Sequence, residues 1–343
     1  MFTPRYTITD LLLANITKIN SIVSELNNRR FAKLILVEFE RIAREVSAHT
    51  STSIEGNPLS LTDVKRVLKT KPTNIRDTEK EVINYNRALE TLDKLLKNEQ
   101  LELSIELILD IHQQVTSELL PSYDLGALRK RPVIVNDPRT GKVVYIPPDI
   151  HEVPALLSEL IHFVNTSGEI NPLIVAGIFH KQMVIIHPFM DGNGRTTRLI
   201  TKVLLAKMGL NTFNLFSFEN YYNQNVSRYF ETVGEYGDYH DLVREIDFTK
   251  WLEYFTGGIL DELLRVTKIL PENGNSPQTQ LDPHHLQILQ YIKKNGFITQ
   301  REYSKLTGRA RPTRALDFSR LIDLQLIKRK GAGRGTHYVL RDT

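Results

Sequence analysis

Twelve residues of this chain hold groups that together can handle phosphate. They run His187-Pro188-Phe189-Met190-Asp191-Gly192-Asn193-Gly194-Arg195, with Arg198 closing the set. His187 titrates near neutrality and can accept a proton from an attacking hydroxyl. Gly192-Asn193-Gly194 lets the backbone take left-handed or strained angles, so successive N–H groups can point into one concavity at the start of a helix and bind an anion. Arg195 and Arg198 stand three apart on the first turns of that helix, each with a fork of donors suited to phosphate oxygens. Two cations at a helix N-terminus oppose its dipole, which an anionic ligand would compensate. Asp191 adds a single carboxylate, sufficient for a Mg2+ that takes its other ligands from phosphates and water. Taken singly, each piece has a plainer reading: a capping histidine, a turn, an N-cap, surface ion pairs. Their order is what makes chemical sense.

The segments on either side read as helices. A very apolar stretch from Pro172 to Ile186 leads directly into His187, and a second helical pattern follows through Thr196, Leu199, Ile200, Val203, Leu204 and Met208. The set therefore belongs to a helix–loop–helix turn whose first helix is buried and central. Most of the first 270 residues carry helical spacing, as in Leu34, Val37, Ile42 and Val46, or Val82, Leu89, Leu92 and Leu95. The clearest exception is Arg131–Pro148, where two β-branched runs flank Asn-Asp-Pro-Arg-Thr-Gly and predict a hairpin. Residues 271–283, PENGNSPQTQLDP, are polar, Pro-rich and without periodicity, and read as a linker. The fold class is mainly α. Residues 1–100 are expected to form an N-terminal helical region, 101–270 a core, 271–283 a linker and 284–343 a small C-terminal domain.

Bulk composition sets limits on the function. A chain of 343 residues with 41% hydrophobic composition can bury a large core, and its lack of cysteine excludes disulfides, thiolate metal sites and a cysteine nucleophile. The N-terminal apolar run, Leu11 to Leu13, is too short for a signal peptide or a membrane span, so a cytoplasmic protein with no membrane partner is expected. The net charge of +4 is uneven: residues 281–343 hold 13 Lys/Arg and 5 Asp/Glu, or +8, leaving −4 for the rest.

The run His187–Arg195 with Arg198 resembles the signature of the Fic family, HPFx[D/E]GNGRxxR, at every defined position. The resemblance implies a helical core with a short β-hairpin flap. It also implies protein adenylyltransfer (AMPylation), in which a target Ser, Thr or Tyr hydroxyl attacks the α-phosphorus of ATP. His187 would be the base, Asp191 would hold Mg2+, and Asn193 would position the α-phosphate. Gly192 and Gly194 would give backbone donors, Arg195 would face the β-phosphate and Arg198 the γ-phosphate. Gly126-Ala-Leu-Arg129 leading into Arg131–Pro148 looks like the flap, with Val133, Ile134 and Val135 as the strand that docks the target by β-augmentation. Asn220-Tyr221-Tyr222 and Tyr229-Phe230 are similar to the aromatic segment beside the adenine, with Tyr221 and Tyr229 as candidate contacts and helical core packing as the alternative. Ser51-Thr-Ser-Ile-Glu55-Gly56-Asn57 looks like the family's inhibitory motif, which ends a helix beginning near Arg30. Glu55, badly placed at the negative end of that helix, would pair with Arg198 and take the γ-phosphate's place.

In the tail, His285–Lys294, Thr299–Leu306 and Arg311–Leu324 predict three helices, followed by strands Ile327–Lys330 and Thr336–Leu340, the order of a winged-helix domain. Arg309, Arg311, Arg314 and Arg320 lie on or beside the third helix and Arg334 at the wing, so DNA is one candidate partner and a docked protein another. The leading expectation is a protein adenylyltransferase that acts on other proteins and on itself, is restrained by Ser51 and Glu55, and can form a homodimer. The alternatives are AMP removal, another transferred nucleotide, or a nucleotide-sensing DNA-binding regulator.

Overall fold

The computed structural model describes residues 2–28, 33–70, 75–96, 102–136, 141–207, 217–269, 282–323 and 326–341, with the backbone alone at 33–39, 94, 207, 323 and 334. The expected helix start near Arg30, the flap turn at 137–140, Met208, Leu324, the Arg334 side chain and linker residues 271–281 lie outside what is described. The chain divides into two compact units, one of Met1–Asn28 and Glu40–Leu270, the other of Arg29–Phe39 and Pro271–Thr343.

The first unit is built around α7 (Pro172–Ile186). Asn171 caps it by accepting from the Leu173 N–H, Pro172 fits its first turn, and every residue from Leu173 to Ile186 except Val184 is buried. A helix apolar on all sides belongs inside a protein. Each large side chain it buries contributes about 1.5–3 kcal/mol. Around α7 pack α6 (Val153–Thr166), α8 (Asn193–Lys207) and α12 (Thr249–Ile269), while α5 (Ile105–Thr116) packs on α8 and on α4 (Asp77–Leu95). Close approach of α12 depends on Gly177, where a Cβ would stand 2.6 Å from Leu252 Cδ2; the Trp251 Nε1 donates to the Gly177 carbonyl at 2.7 Å. On its other side α12 carries α1 (Asp10–Asn28), which buries Leu12, Ile16, Ile19 and Leu26.

The expected hairpin forms but is shorter than its sequence pattern. β1 (Val135–Asn136) pairs antiparallel with β2 (Val143–Ile146), with an irregularity in register between Val135 and Asn136. Val133 and Ile134 precede the strand, and β1 is a sheet edge. An unexpected third strand, β3 (Gly237–Asp238), joins β2 in parallel.

One buried network fastens the helices next to the His187–Arg198 segment. Glu219, fully buried on α9 (Phe218–Gln224), accepts from Ser47 at 2.9 Å on α2 (Lys33–Ile54), from Tyr85 at 2.8 Å on α4 and from Ser217 at 2.8 Å. Lys202 of α8 closes the charge balance at 2.9 Å. Desolvation works against this carboxylate, but Lys202 and the surrounding donors more than offset it and hold its pKa below the usual glutamate value.

In the second unit α13 (Pro283–Asn295), α14 (Gln300–Leu306) and α15 (Arg311–Asp323) precede the antiparallel pair β4 (Ile327–Lys330) and β5 (His337–Leu340). Their core includes Ile288, Ile292, Tyr303, Phe318, Leu321 and Tyr338. Residues 282–283, expected as linker, instead start α13: Asp282 caps it and Pro283 is its first residue. Arg309 is not a free cation, since it pairs with Asp317 at 2.6 Å and with Asp282. Arg314 donates to the Arg309 carbonyl at 3.3 Å, while Arg311 and Arg320 are exposed.

Replacing Glu219 by Ala leaves Lys202 buried without its counter-charge, so it should destabilise the first unit by about 3–5 kcal/mol. Ser47→Ala should cost about 1 kcal/mol. Denaturant unfolding followed by tryptophan fluorescence reads both, because Trp251 lies in the same unit.

Candidate active site

α7 ends on a strained residue. His187 has left-handed backbone angles (φ 49, ψ 59) while its N–H still reaches the Met183 carbonyl at 3.1 Å. Non-glycine residues seldom adopt this conformation, which persists only where the surroundings enforce it. Arg129 supplies that enforcement: its backbone N–H donates to the Pro188 carbonyl at 2.9 Å and its Nε to the His187 carbonyl at 2.9 Å. Its Nη2 donates to the Pro148 carbonyl, which ties the end of the flap to the same turn. The imidazole Nδ1 lies 3.3 Å from the Val184 carbonyl. A carbonyl only accepts, so Nδ1 carries the proton and Nε2 keeps its lone pair. Burial lowers the His187 pKa below its usual value, and the ring is neutral at pH 7.

The loop after His187 is closed by Asn193. Its Oδ1 accepts from the Phe189 N–H and its Nδ2 donates to the Phe189 carbonyl, both at 2.9 Å. Both polar ends of the Asn193 side chain thus serve the loop. Behind it, His112 stacks on Phe189 with ring centres 3.8 Å apart. The Gly126 N–H donates to His112 Nδ1 at 3.2 Å, so Nε2 is the protonated nitrogen and donates to the Asp191 carbonyl at 3.0 Å. Desolvation brings the His112 pKa to about 4, which keeps this arrangement neutral. Gly192 has φ +78, and a Cβ there would meet Thr116 Cγ2 at 2.7 Å.

Both arginines of the motif are buried. Arg195 Nη2 pairs with Asp191 Oδ2 at 2.9 Å and its Nη1 stands 3.6 Å from Glu81, yet its Nε and Nη1 make no hydrogen bond among the described residues. Arg198 donates from Nε to Ser51 Oγ at 2.7 Å, and from Nη2 to the Ser51 carbonyl at 2.9 Å and to Glu55 Oε1 at 2.7 Å. Its Nη1 has no partner among the described residues. Desolvation opposes the Arg198 charge, but Glu55 raises its pKa above the usual arginine value. Glu55 lies just past the end of α2, with Gly56 (φ +93) after it. The carboxylate fits because residue 194 is glycine, where a Cβ would fall 2.0 Å from Glu55 Oε1.

These groups meet at a cavity of about 430 Å3. His187, Asn193, Gly194, Arg198 and Glu55 give it charge and polarity, and Val135, Tyr145, Val226, Tyr229, Phe230 and Val233 give it apolar surface. Asp191, Gly192 and Arg195 adjoin it without lining it, and Asp191 keeps 55% of its side chain exposed. Tyr229 is on the wall; its hydroxyl lies 3.0 Å from His180 Nε2, and burial pushes its pKa up to about 12 despite Arg198. Tyr221 is not on the wall. Its ring lies over Gly258 and 5.4 Å from the ring of Tyr254, because α9 turns Tyr222 into the core and Tyr221 toward α12. Val135 lines the cavity, whereas Ile134 is 53% exposed on the outer edge. Sequence alone assigns no role to His112 or Lys181 and places Arg129 only at the entry to the flap. Of these, Lys181 left a signal: a lysine inside an apolar helix must find a counter-charge.

Residues 102–205 match the Fic/DOC family, and the chain carries a Fic domain. A protein adenylyltransferase Fic from Drosophila virilis is 27% identical over 256 residues, 72% of this chain and 50% of that one. Another from Drosophila grimshawi is 30% identical over 164 residues, 46% and 32% of the two chains. The chain thus spans half or less of the length of these curated relatives. Among solved structures, a Fic family protein from Desulfovibrio desulfuricans G20 aligns over 100% of this chain and 99% of its own, with TM-score 0.64 at 20% identity. Fic-1 from C. elegans aligns over 75% and 72%, with TM-score 0.60 at 22% identity. These two likenesses show the fold, a mostly helical body with a small β flap.

Gly192→Ala should destabilise by about 1–3 kcal/mol, because it combines a positive φ with a blocked Cβ. Gly56→Ala, with a positive φ but open space, should cost less, and a comparison of thermal midpoints checks the order.

Proposed function

We propose that this chain is a protein adenylyltransferase that moves AMP from ATP to a Ser, Thr or Tyr hydroxyl and is restrained by its own Glu55. The observation that carries this reading is a single cavity lined by a neutral imidazole with Nε2 open as an acceptor and by a buried guanidinium with an unpaired nitrogen. The target hydroxyl oxygen attacks the α-phosphorus, its proton passes to His187 Nε2, and pyrophosphate leaves. Unpaired buried donors on Arg195 and Arg198 suit phosphate oxygens, with Arg198 nearest the γ-phosphate and Arg195 the β-phosphate. The loop that Asn193 shapes, with the backbone of Gly192 and Gly194, faces the α-phosphate, and Tyr229 lies toward the base. The exposed Asp191 carboxylate fits Mg2+, which would neutralise phosphate charge there. β1 leaves an open strand edge beside the cavity, with Val135 on it and Val133 and Ile134 just before it, suited to an extended target segment.

Ser51 and Glu55 hold Arg198 as a γ-phosphate would, so ATP enters fully only when Glu55 leaves. A regulator that only sensed nucleotide would need the arginines but not a base with its acceptor nitrogen set free. We further propose duplex DNA as a partner of the C-terminal unit, on the strength of exposed Arg311 and Arg320 on α15 and the basic β4. The prediction is a gel shift that weakens with salt and is lost in Arg311→Ala/Arg320→Ala.

With α-labelled ATP and Mg2+, Glu55→Gly should raise self-labelling on the order of a hundredfold by removing a tethered competitor. Adding His187→Ala should cut it about 10^2- to 10^4-fold. No labelling by any form, with the fold intact, would sink the transferase. Because His187 must be deprotonated and burial lowers its pKa, the acid limb of kcat/KM should fall below pH 6.5. An acid limb above that value would contradict the assignment of the base.

A further inference from the structure

Lys181 is the only lysine of α7 and is 3% exposed. Its ammonium lies 3.1 Å from the Thr232 carbonyl, 3.4 Å from Val233 and 3.3 Å from Gly234, and 2.8 Å from Glu235 Oε1. Three carbonyls and one carboxylate thus anchor residues 232–235 to the central helix. Burial lowers the Lys181 pKa, and Glu235 opposes that fall. Such an anchor is more than helix packing requires, since a nonpolar residue would fill the position without burying a charge.

The anchored segment forms part of the cavity wall. Val233, Gly234, Glu235 and Tyr236 all line it, and Gly234, Glu235 and Tyr236 separate it from a second cavity of about 780 Å3 that Lys181 and Thr232 border. Away from Glu55 and Arg198, the charged side chains on the wall are Glu231 and Glu235 alone. Glu231 is exposed, whereas the Glu235 side chain keeps 23% of its surface and is pinned by a buried partner. The same cavity is lined by Val226, Phe230 and Val233, apolar side chains that suit a flat ring rather than phosphates.

We infer that Glu235, set in place by Lys181, reads the nucleobase by accepting a hydrogen bond from an exocyclic amino group. This rests on the nucleotide site proposed above and specifies what that site selects. An ionised carboxylate only accepts. With one oxygen engaged by Lys181, the other can meet a base that offers an N–H, such as the amino group of adenine or cytosine. At the position of that amino group uracil presents a carbonyl acceptor, with its N3–H one ring atom away, and an unsubstituted purine presents no donor. A site built to accept from a ligand donor discriminates against the analogue that lacks it. Glu235 is a specificity residue and Lys181 a positioning residue; neither takes part in the transfer.

The test is calorimetric binding to the full chain carrying Glu55→Gly and His187→Ala, which opens the site and prevents turnover. ATP is compared with purine riboside 5′-triphosphate, and CTP with UTP. Each pair differs at the amino position while keeping ring size and triphosphate. The amino-bearing member should bind on the order of tenfold to a hundredfold more tightly. Adding Glu235→Gln should collapse both ratios, because Lys181 takes the amide oxygen and turns the NH2 toward the base. Adding Lys181→Met should reduce the ratios, and Lys181→Arg should restore much of them, with thermal melting used to check that each variant is folded. Ratios near one in the parent, or ratios unmoved by Glu235→Gln, would overturn the inference while leaving the nucleotide site standing. If no triphosphate bound to a folded parent, the site itself would be removed and base reading with it.

Discussion

A guanidinium that no solvent reaches must be answered by something. Arg198 is fully buried and permanently charged, and much of what surrounds it is that answer: the Ser51 hydroxyl and carbonyl, then Glu55. The same demand explains why the end of α2 is brought here, where a carboxylate past the last turn would otherwise face the unfavourable end of its own helix dipole. Even so, Nη1 makes no hydrogen bond among the described residues.

Around this charge the fold divides its labour. Glu219 and Lys202 fix α2, α4, α8 and α9 against one another through short polar contacts, so α2 presents Ser51 and Glu55 at a set depth. On the other side of the loop, Arg129 and His112 hold backbone carbonyls, of His187 and Pro188 and of Asp191 respectively. They shape the path of the chain, and the reactive groups follow from that path. The left-handed His187 turn needs this outside support, since its own residue type disfavours it.

The site is legible in the sequence because its groups are local: the imidazole, the carboxylate, the glycine-rich turn and both arginines fall within twelve residues. The pairing of Glu55 with Arg198 bridges 143 positions. Only a second recognisable motif, Ser51–Asn57, points to it in the sequence. What was not legible depends on direction and distance. Tyr221 and Tyr222 are adjacent, and helical periodicity alone does not say which of two neighbouring aromatics faces a cavity. β3 is two residues long and has no pattern of its own; only the return of the chain beside β2 makes it a strand. Arg309 reads in the sequence as a surface cation, but the fold brings two carboxylate partners, 27 and 8 residues away, around it.

The way α2 delivers Glu55 bears on how its pairing with Arg198 could be broken. The carboxylate belongs to the same chain as Arg198, so it acts as a tethered ligand whose local concentration is fixed by geometry. Dilution cannot release it, and neither can synthesis of more protein. The guanidinium, for its part, stays charged across the physiological range. What remains is competition by a ligand bound more tightly in one state than in the other, or a force that shifts α2 along its length.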